Sequence, residues 1–327
     1  MKLIYPATTL VLLCFLHRLP AQISFTDQTA LLPNPDGFFS GVSVGIADMN
    51  DDGMDDIVRF QQGKQLSIEY QATDNQPFAH TGIVAFGQRV WSVAIADVNN
   101  DGYCDILTGG SYDGVRVLSA QSNGASYQQA TLPGPAIFLQ GSNFADIDND
   151  GAIDVFACHD DGESRIWGND GTGAFFMADD WIDMTTSPPS DNSGNYGSVW
   201  TDFDNDGDLD LYIAKCRQGV SNPDDPRRIN ALFQNDGQNN YTEVAAEYGL
   251  KIKWQSWTAE FQDIDNDGDL DCFVTNHDYN LQLLENDGTG HFTDISEAAG
   301  LTGTSGTFLQ GIMRDFDNDG FVDILVA

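Results

Sequence analysis

The sequence predicts an all-β repeat protein, and three observations support this prediction. A short acidic segment occurs six times in the 327 residues, and successive copies start 49, 49, 56, 61 and 52 residues apart. Apolar and β-branched runs typical of strands lie on both sides of each copy. The period is that of β-propeller blades, which take roughly 40 to 50 residues each. We therefore predict a β-propeller of four-stranded blades.

The composition is that of a folded protein and excludes two classes of partner. The chain has 50 acidic and 14 basic residues, which gives a formal net charge of −36. Such a charge repels nucleic acids and anionic membranes, so we expect neither as a partner. Hydrophobic residues make up 41% of the chain and aromatic residues 11%, which argues against disorder. Most acidic residues fall in the six segments, and this clustering points to bound metal.

The N-terminus has the pattern of a secretory signal peptide. Lys2 supplies the positive charge, residues 7–16 form an apolar stretch, and Ala21 is a small residue at a suitable cleavage position. The stretch is shorter than the ~18 apolar residues of a membrane span, and no later segment reaches that length. The alternative is a buried first strand. We expect a signal peptide over residues 1–21, a propeller over residues 22–327, and a secreted, extracellular protein.

Each acidic segment follows the pattern Asp-x-Asp/Asn-x-Asp-Gly-x-x-Asp, which suits calcium. This ion takes six to eight oxygen ligands, and a short loop can wrap them around it. Side chains at positions 1, 3, 5 and 9 supply oxygens, and the glycine at position 6 permits the sharp turn. Without a cation, three or four carboxylates in one loop would repel one another. The predicted ligands of up to six calcium ions are Asp48, Asn50, Asp52 and Asp56; Asp97, Asn99, Asp101 and Asp105; Asp146, Asp148, Asp150 and Asp154; Asp202, Asp204, Asp206 and Asp210; Asp263, Asp265, Asp267 and Asp271; and Asp315, Asp317, Asp319 and Asp323.

The flanks of the loops exclude an EF-hand. That motif has a glutamate at position 12 and a helix on each side. Position 12 is, in chain order, Arg59, Thr108, Ala157, Ile213, Val274 and Val326. The loop is therefore predicted to join the first two strands of a blade.

Two further strands follow in the best-defined units. Residues 281–284 run into Asn-Asp-Gly at 286–288, a hairpin signal, and residues 292–295 form the next strand. The same Asn-Asp-Gly phrase occurs at 169–171 and 235–237. Each unit is thus predicted to contain four strands.

These motifs resemble the FG-GAP/VCBS repeat family, whose blades carry the same acidic loops, as in integrin α propellers. The likeness covers nearly all of residues 22–327. The segment 286–301, repeated at 235–250, is similar to the cartilage acidic protein group, which commonly carries a C-terminal ASPIC/UnbV domain; we expect no such domain within residues 1–327. The resemblance implies a calcium-stabilised, usually seven-bladed extracellular propeller that serves adhesion or recognition.

The sixth unit has only two predicted strands. Residues 23–27 resemble the last strand of a blade, as at 292–294. Propellers often close by giving an N-terminal strand to the final blade. We therefore expect that a longer natural chain has been cut and that part of a blade is absent.

Two insertions near the fourth unit mark a predicted ligand site. Residues 185–196 join two blades and residues 217–228 join strands two and three, so both are expected on the face opposite calcium. Loops on a rigid scaffold are where binding residues concentrate. The basic residues there are Arg217, Arg227 and Arg228, which suit a carboxylate or a sulfate, and we expect Arg227 and Arg228 to be exposed. Alternatively, these arginines pair with Asp224, Asp225 and neighbouring carboxylates.

We expect a binding module for an extracellular protein or glycan ligand, and no catalysis. The alternatives are a carbohydrate-active lyase or hydrolase and a glycan-binding lectin on the same propeller. Candidates for an acid or base are His159, Lys215 and His277, if they converge. Candidates for a sugar platform are Trp91, Trp200 and Trp257, which packing between blades also explains.

Four cysteines follow the signal peptide, each in a different repeat. They are Cys104, Cys158, Cys216 and Cys272. An even number in an exported protein permits pairing, but free cysteine also behaves as a small buried hydrophobic residue, which we favour.

Overall fold

The fold was analysed on a computed structural model that describes residues 25–33, 44–121, 124–304 and 306–327. The predicted signal peptide lies outside the described residues. So do residues 23–24 of the predicted N-terminal strand; the described residues 25–27 are not in a strand.

The described chain is almost entirely β and confirms the predicted all-β class. It forms five four-stranded antiparallel sheets and one two-stranded sheet, and each sheet pairs its strands in chain order. Blades 1 to 3 contain β1 (Val44–Ala47), β2 (Asp56–Gln61), β3 (Gln65–Tyr70) and β4 (Ala79–Ala85); β5 (Val90–Ala96), β6 (Asp105–Gly110), β7 (Val115–Gln121) and β8 (Ser126–Thr131); and β9 (Leu139–Ala145), β10 (Asp154–His159), β11 (Arg165–Asn169) and β12 (Phe175–Met177).

Blades 4 to 6 continue the same order. They contain β13 (Asn195–Thr201), β14 (Asp210–Lys215), β15 (Ala231–Asn235) and β16 (Tyr241–Glu243); β17 (Ser256–Gln262), β18 (Asp271–Asn276), β19 (Gln282–Asn286) and β20 (Phe292–Asp294); and β21 (Gly311–Arg314) and β22 (Asp323–Val326). Within the described ranges the helices are single turns: α1 (Ala245–Tyr248) and the 3-10 turns Thr29–Leu31 and Pro226–Arg228. No helix among the described residues is long and apolar enough to cross a membrane.

The first strands of neighbouring blades pack against one another around the centre of the propeller. Glycine permits two of these close approaches. A Cβ atom at Gly141 would lie 2.6 Å from the carbonyl oxygen of Tyr196, and one at Gly197 would lie 2.8 Å from that of Trp257. The inner wall therefore requires residues without a side chain at these points.

The hydrophobic core lies between blades, not within them. Five buried clusters occur, and each combines side chains of two successive blades. Between blades 4 and 5, for example, the ring centroid of Tyr212 lies 5.6 Å from that of Phe261. Such a core grows one interface at a time, as expected of a repeat protein.

The four cysteines are free thiols in the structure. Cys158, Cys216 and Cys272 are buried and Cys104 is half-buried. They lie in four different blades, and no disulfide forms among the described residues.

Candidate functional site

The acidic loops share one backbone conformation, which the aspartate at position 1 organises. Its two oxygens accept hydrogen bonds from the backbone N–H groups of positions 5 and 6, at 2.7 to 3.1 Å in all six loops. The glycine at position 6 has a φ between 84° and 100°. Position 4 also has a positive φ in every loop, and its residues are Asp51, Asn100, Asn149, Asn205, Asn266 and Asn318. We did not predict a role for position 4, although asparagine and aspartate are the residues that best tolerate this conformation.

The aspartate at position 9 is buried in blades 1 to 5, is half-buried in blade 6, and ties the loop to its blade. In all six loops one of its oxygens accepts the backbone N–H of position 2, at 2.9 to 3.4 Å. In blades 1 to 5 its other oxygen accepts a backbone N–H at the end of the third strand, at 2.7 to 2.9 Å. Burial raises the pKa of Asp105 and of Asp154 to about 6, and that of Asp210 to about 8.

Carboxylates converge in four of the six loops. In each, three oxygens from three residues lie within 4.8 Å of one another. The triads are Asp146, Asp148 and Asp154; Asp202, Asp204 and Asp206; Asp263, Asp265 and Asp271; and Asp315, Asp317 and Asp323. Among the described residues the first two loops form no such triad, and there an asparagine stands at position 3.

The donor atoms of these triads fit a hard cation. All of them are oxygens, which suit calcium, magnesium or manganese better than zinc or copper. The Oδ1 atoms of Asp148 and Asp204 are buried and make no hydrogen bond within the described part of the chain. A buried carboxylate oxygen without a partner is costly, and a bound cation would satisfy it.

Hydrogen bonds also connect the loops of successive blades. The Asn286 side chain, at the hairpin of blade 5, donates to the position 2 carbonyl of the fourth loop (Phe203) at 3.0 Å. The Asn266 side chain, at position 4 of the fifth loop, donates to the Gly320 carbonyl of the sixth loop at 3.0 Å. The same two contacts join Asn169 to Val98 and Asn205 to Gly268. The candidate metal sites of blades 4, 5 and 6 are therefore connected, and that of blade 2 is tied to the hairpin of blade 3.

The three arginines of the predicted ligand site all have carboxylate partners. Arg217 contacts Asp161 at 2.9 Å, Arg227 contacts Asp225 at 2.7 Å, and Arg228 contacts Asp278 at 2.7 Å. Asp224 pairs with Lys253 instead. The expectation of an exposed basic cluster is wrong for Arg228, whose side chain is 3% exposed. Pairing with carboxylates is the alternative that we had kept open, and the ligand-binding role of these arginines stays a prediction.

Of the three candidate acid and base residues, only Lys215 lines the cavity beside β14. Lys215 is buried, and burial lowers its pKa to about 8. The cavity beside Lys215 measures about 10 Å³, enough for roughly one water, and neither His159 nor His277 lines it. Burial lowers the pKa of both histidines. That the protein is not an enzyme stays a prediction.

The three tryptophans have two different environments. Trp200 packs between Phe156 and Tyr241, with ring centroids 5.7 Å and 6.2 Å away, and so joins blades 3 and 4. Trp91 and Trp257 line a cavity at the centre of the propeller.

Comparison with known proteins places the acidic loops in a repeat family. The FG-GAP-like repeat matches residues 48–108, 97–157, 146–213 and 263–326. These ranges cover more than two thirds of the chain and include all six loops.

Two similar proteins agree with this match. The chain is 23% identical over 188 residues to Cartilage acidic protein 1 of Xenopus tropicalis; the match takes 55% of this chain and 27% of that protein, so the chain spans only part of its relative. A solved lectin from Agrocybe aegerita, which recognises non-reducing terminal N-acetylglucosamine, is 20% identical, with a TM-score of 0.54 over 86% of this chain and 73% of that one. The likeness to the lectin shows the fold alone. From the repeats matched along its length, the chain belongs to the FG-GAP-like repeat family.

Proposed function

We propose that the protein is a secreted, calcium-binding β-propeller that acts as an extracellular recognition module, in which calcium stabilises the blades. The observation that carries the calcium role is the double function of position 9. In the third and fifth loops the same buried carboxylate belongs to the triad and accepts a backbone N–H from the third strand, as Asp154 does from Asn169 at 2.8 Å. A cation held there would connect three strands of one blade.

Calcium fits these loops better than magnesium. Calcium accepts six to eight oxygens in flexible geometry, whereas magnesium demands a near-ideal octahedron and keeps several waters. A loop of this kind offers up to four side chains and one backbone carbonyl, and variable ligation of the carboxylates can complete the shell. The predicted signal peptide would deliver the protein to a calcium-rich compartment, where weak sites of roughly 10⁻⁴ to 10⁻³ M suffice.

Thermal unfolding with and without metal tests the calcium role. A ligand that binds only the native state stabilises it by mass action. We expect the melting temperature to fall strongly after exhaustive chelation, to recover with calcium, and to recover much less with the same concentration of magnesium. An unchanged melting temperature after chelation would refute the structural role of calcium.

A glycan ligand is the candidate that we favour for recognition. The Agrocybe aegerita lectin supports this choice only through its shared fold. The stronger support is a central cavity with aromatic and amide side chains. Secretion is tested separately, by sequencing the mature N-terminus after expression with the native leader, where we expect cleavage after Ala21.

A further inference from the structure

The central cavity has a volume of about 440 Å³ and is lined by all six described blades. Its residues stand at or near the beginnings of the first strands, as Trp91 does in β5, Tyr196 in β13 and Trp257 in β17. The acidic loops follow the other ends of these strands, so the cavity lies toward the face opposite the candidate metal sites. Its volume falls within the roughly 300 to 1,000 Å³ of small-molecule sites.

The lining of this cavity carries no charged side chain. No Asp, Glu, Lys, Arg or His occurs among the described residues that line it, although the chain has 50 acidic residues. An anionic ligand would meet a net charge of −36 without a local cation. No side-chain carboxylate lines this cavity to hold a cationic ligand; Glu260 lines the adjoining cavity, which shares Asn143 and Gln310 with this one. The cavity therefore suits a neutral ligand.

Neighbouring aromatic rings fix the side chain of Trp257. The Tyr196 ring meets it edge-on at 5.2 Å and 86°, and the His277 ring lies 4.0 Å from it at 35°. An anchor that is already held in place loses little conformational freedom when a ligand binds. Trp91 supplies a second indole from blade 2.

Amide groups supply polar contacts beside the two indoles. Gln310 is exposed at the cavity, and Asn143 accepts a hydrogen bond from the Ser198 hydroxyl through its Oδ1, which leaves the Nδ2 donors available. Other hydroxyls of the wall already bond across blades, as Ser92 does with Ser142 at 2.8 Å. The wall is therefore pre-formed, and the amides remain for a ligand.

We infer that this cavity binds an uncharged sugar unit of a glycan, an inference that rests on the proposed recognition function. A pyranose ring has apolar C–H faces that pack on an indole, and hydroxyl groups around its rim that amides can both donate to and accept from. Trp257 and Trp91 would provide the packing surfaces, and Gln310 and Asn143 the hydrogen bonds. The chemistry excludes acidic glycans as the preferred ligands.

The test is binding of the calcium-loaded protein to four immobilised probes. They are the neutral hexasaccharides of β-1,4-glucose, β-1,4-N-acetylglucosamine and β-1,4-mannose, and a capped, uncharged Gly-Phe peptide; heparin serves as the anionic control. We expect binding to at least one neutral hexasaccharide. Trp257→Ala and Trp91→Ala should each weaken it at least tenfold, whereas Phe176→Ala should not. Phe176 is a matched control, because it is 48% exposed on an outer strand and does not line the cavity.

Three results would overturn the inference. They are no binding to any neutral hexasaccharide, binding only to the peptide or to heparin, and sugar binding that no cavity variant weakens. Sugar binding that no cavity variant weakens would overturn the cavity assignment but leave the proposed recognition function intact. If calcium still raises the melting temperature of the protein, its proposed structural role also stands. If a tryptophan variant fails to fold, the binding of Gln310→Ala to the neutral hexasaccharides is measured instead, and we expect it to be weakened. This exposed side chain can be removed without opening the core.

Discussion

Positions 3 and 9 of the acidic loops are both aspartates in four repeats, yet their surroundings differ. In the third loop, the Asp148 Oδ1 has no hydrogen-bond partner among the described residues, whereas Asp154 accepts two backbone N–H groups, from Ile147 and Asn169. Position 3 thus depends on a cation for its partner. Position 9 stabilises the blade through its hydrogen bonds even when no cation is bound.

This difference predicts that one of two similar substitutions depends on calcium and the other does not. Asp148→Ala should lower the free energy of unfolding in calcium but not in chelator, since its removal there relieves repulsion. Asp154→Ala should lower it under both conditions, because two buried N–H groups lose their acceptor at about 1 to 3 kcal/mol each. Urea denaturation of both variants, with and without calcium, measures the effect. Equal losses of unfolding free energy for the two variants in chelator would contradict the different roles assigned to positions 3 and 9.

The raised carboxyl pKa values predict a pH dependence of metal binding. Burial raises the pKa of Asp105 and Asp154 to about 6 and that of Asp210 to about 8, above the ordinary value of 3.8. In metal-free protein the contribution of these three groups to folding stability is fully present below the unfolded pKa of 3.8, and it is lost as the pH rises through the folded values of about 6 and about 8. Calcium requires the ionised form. We expect calcium affinity to increase from pH 5 to pH 8, with proton release detected by calorimetry in two buffers; a pH-independent affinity would contradict this.

The loop spacing could be predicted from the sequence because all ligands of one site lie within nine residues. The second role of position 9 could not, since its partner on the third strand follows 15 or more residues later. The partner of Arg228 illustrates the same limit. Asp278 lies 50 residues away in the next blade, so local charge patterning suggested a free basic cluster where the fold forms an ion pair.

The Arg228–Asp278 ion pair predicts that substitutions of two adjacent arginines have unequal effects on stability. The Arg228 side chain is 3% exposed, and its removal leaves Asp278 without this partner. Arg228→Ala should therefore lower the free energy of unfolding by about 2 to 4 kcal/mol. This loss is somewhat smaller than for a fully buried pair, because Asp278 is 39% exposed. Arg227→Ala removes a pair whose arginine is 34% exposed, so solvent screens it and the loss of stability should be much smaller. Thermal unfolding of the two variants measures this difference. Equal losses of stability would contradict a structural role for the Arg228–Asp278 pair.

At the scale of the loops, hydrogen bonds from one acidic loop to the next suggest that calcium binding at one site affects binding at the neighbouring site. Asn266 donates to the sixth loop, whereas the side chain of Asn149, its counterpart in the third loop, makes no hydrogen bond with the described residues. Both have a positive φ, of 64° and 58°, so an alanine strains both backbones alike. The two residues therefore form a matched pair.

We expect Asn266→Ala to be more destabilising than Asn149→Ala by about 0.5 to 1.5 kcal/mol, the worth of one hydrogen bond. It should also weaken calcium binding at the sixth loop. Calcium titration by calorimetry separates this coupling from simple strain, because strain alone affects both variants equally. Identical titrations would mean that the blades bind calcium independently.

The strands themselves followed from the apolar runs around each loop, and the four-stranded pattern holds in five blades. The core between blades and the central cavity did not follow. Each core cluster joins residues of two blades, and the cavity joins residues of six, so their composition depends on how the repeats are arranged around the centre. A repeat period predicts that such an arrangement exists, but not which side chains meet there.

For the propeller as a unit, the central claim is that calcium ions in the blade loops hold its strands together. Counting the bound ions tests it most directly. Equilibrium dialysis against radioactive calcium should give at least four ions per chain, one for each carboxylate triad, and up to six if the two loops with asparagine at position 3 also bind. A folded protein that binds one calcium ion or none at millimolar concentration would contradict the claim.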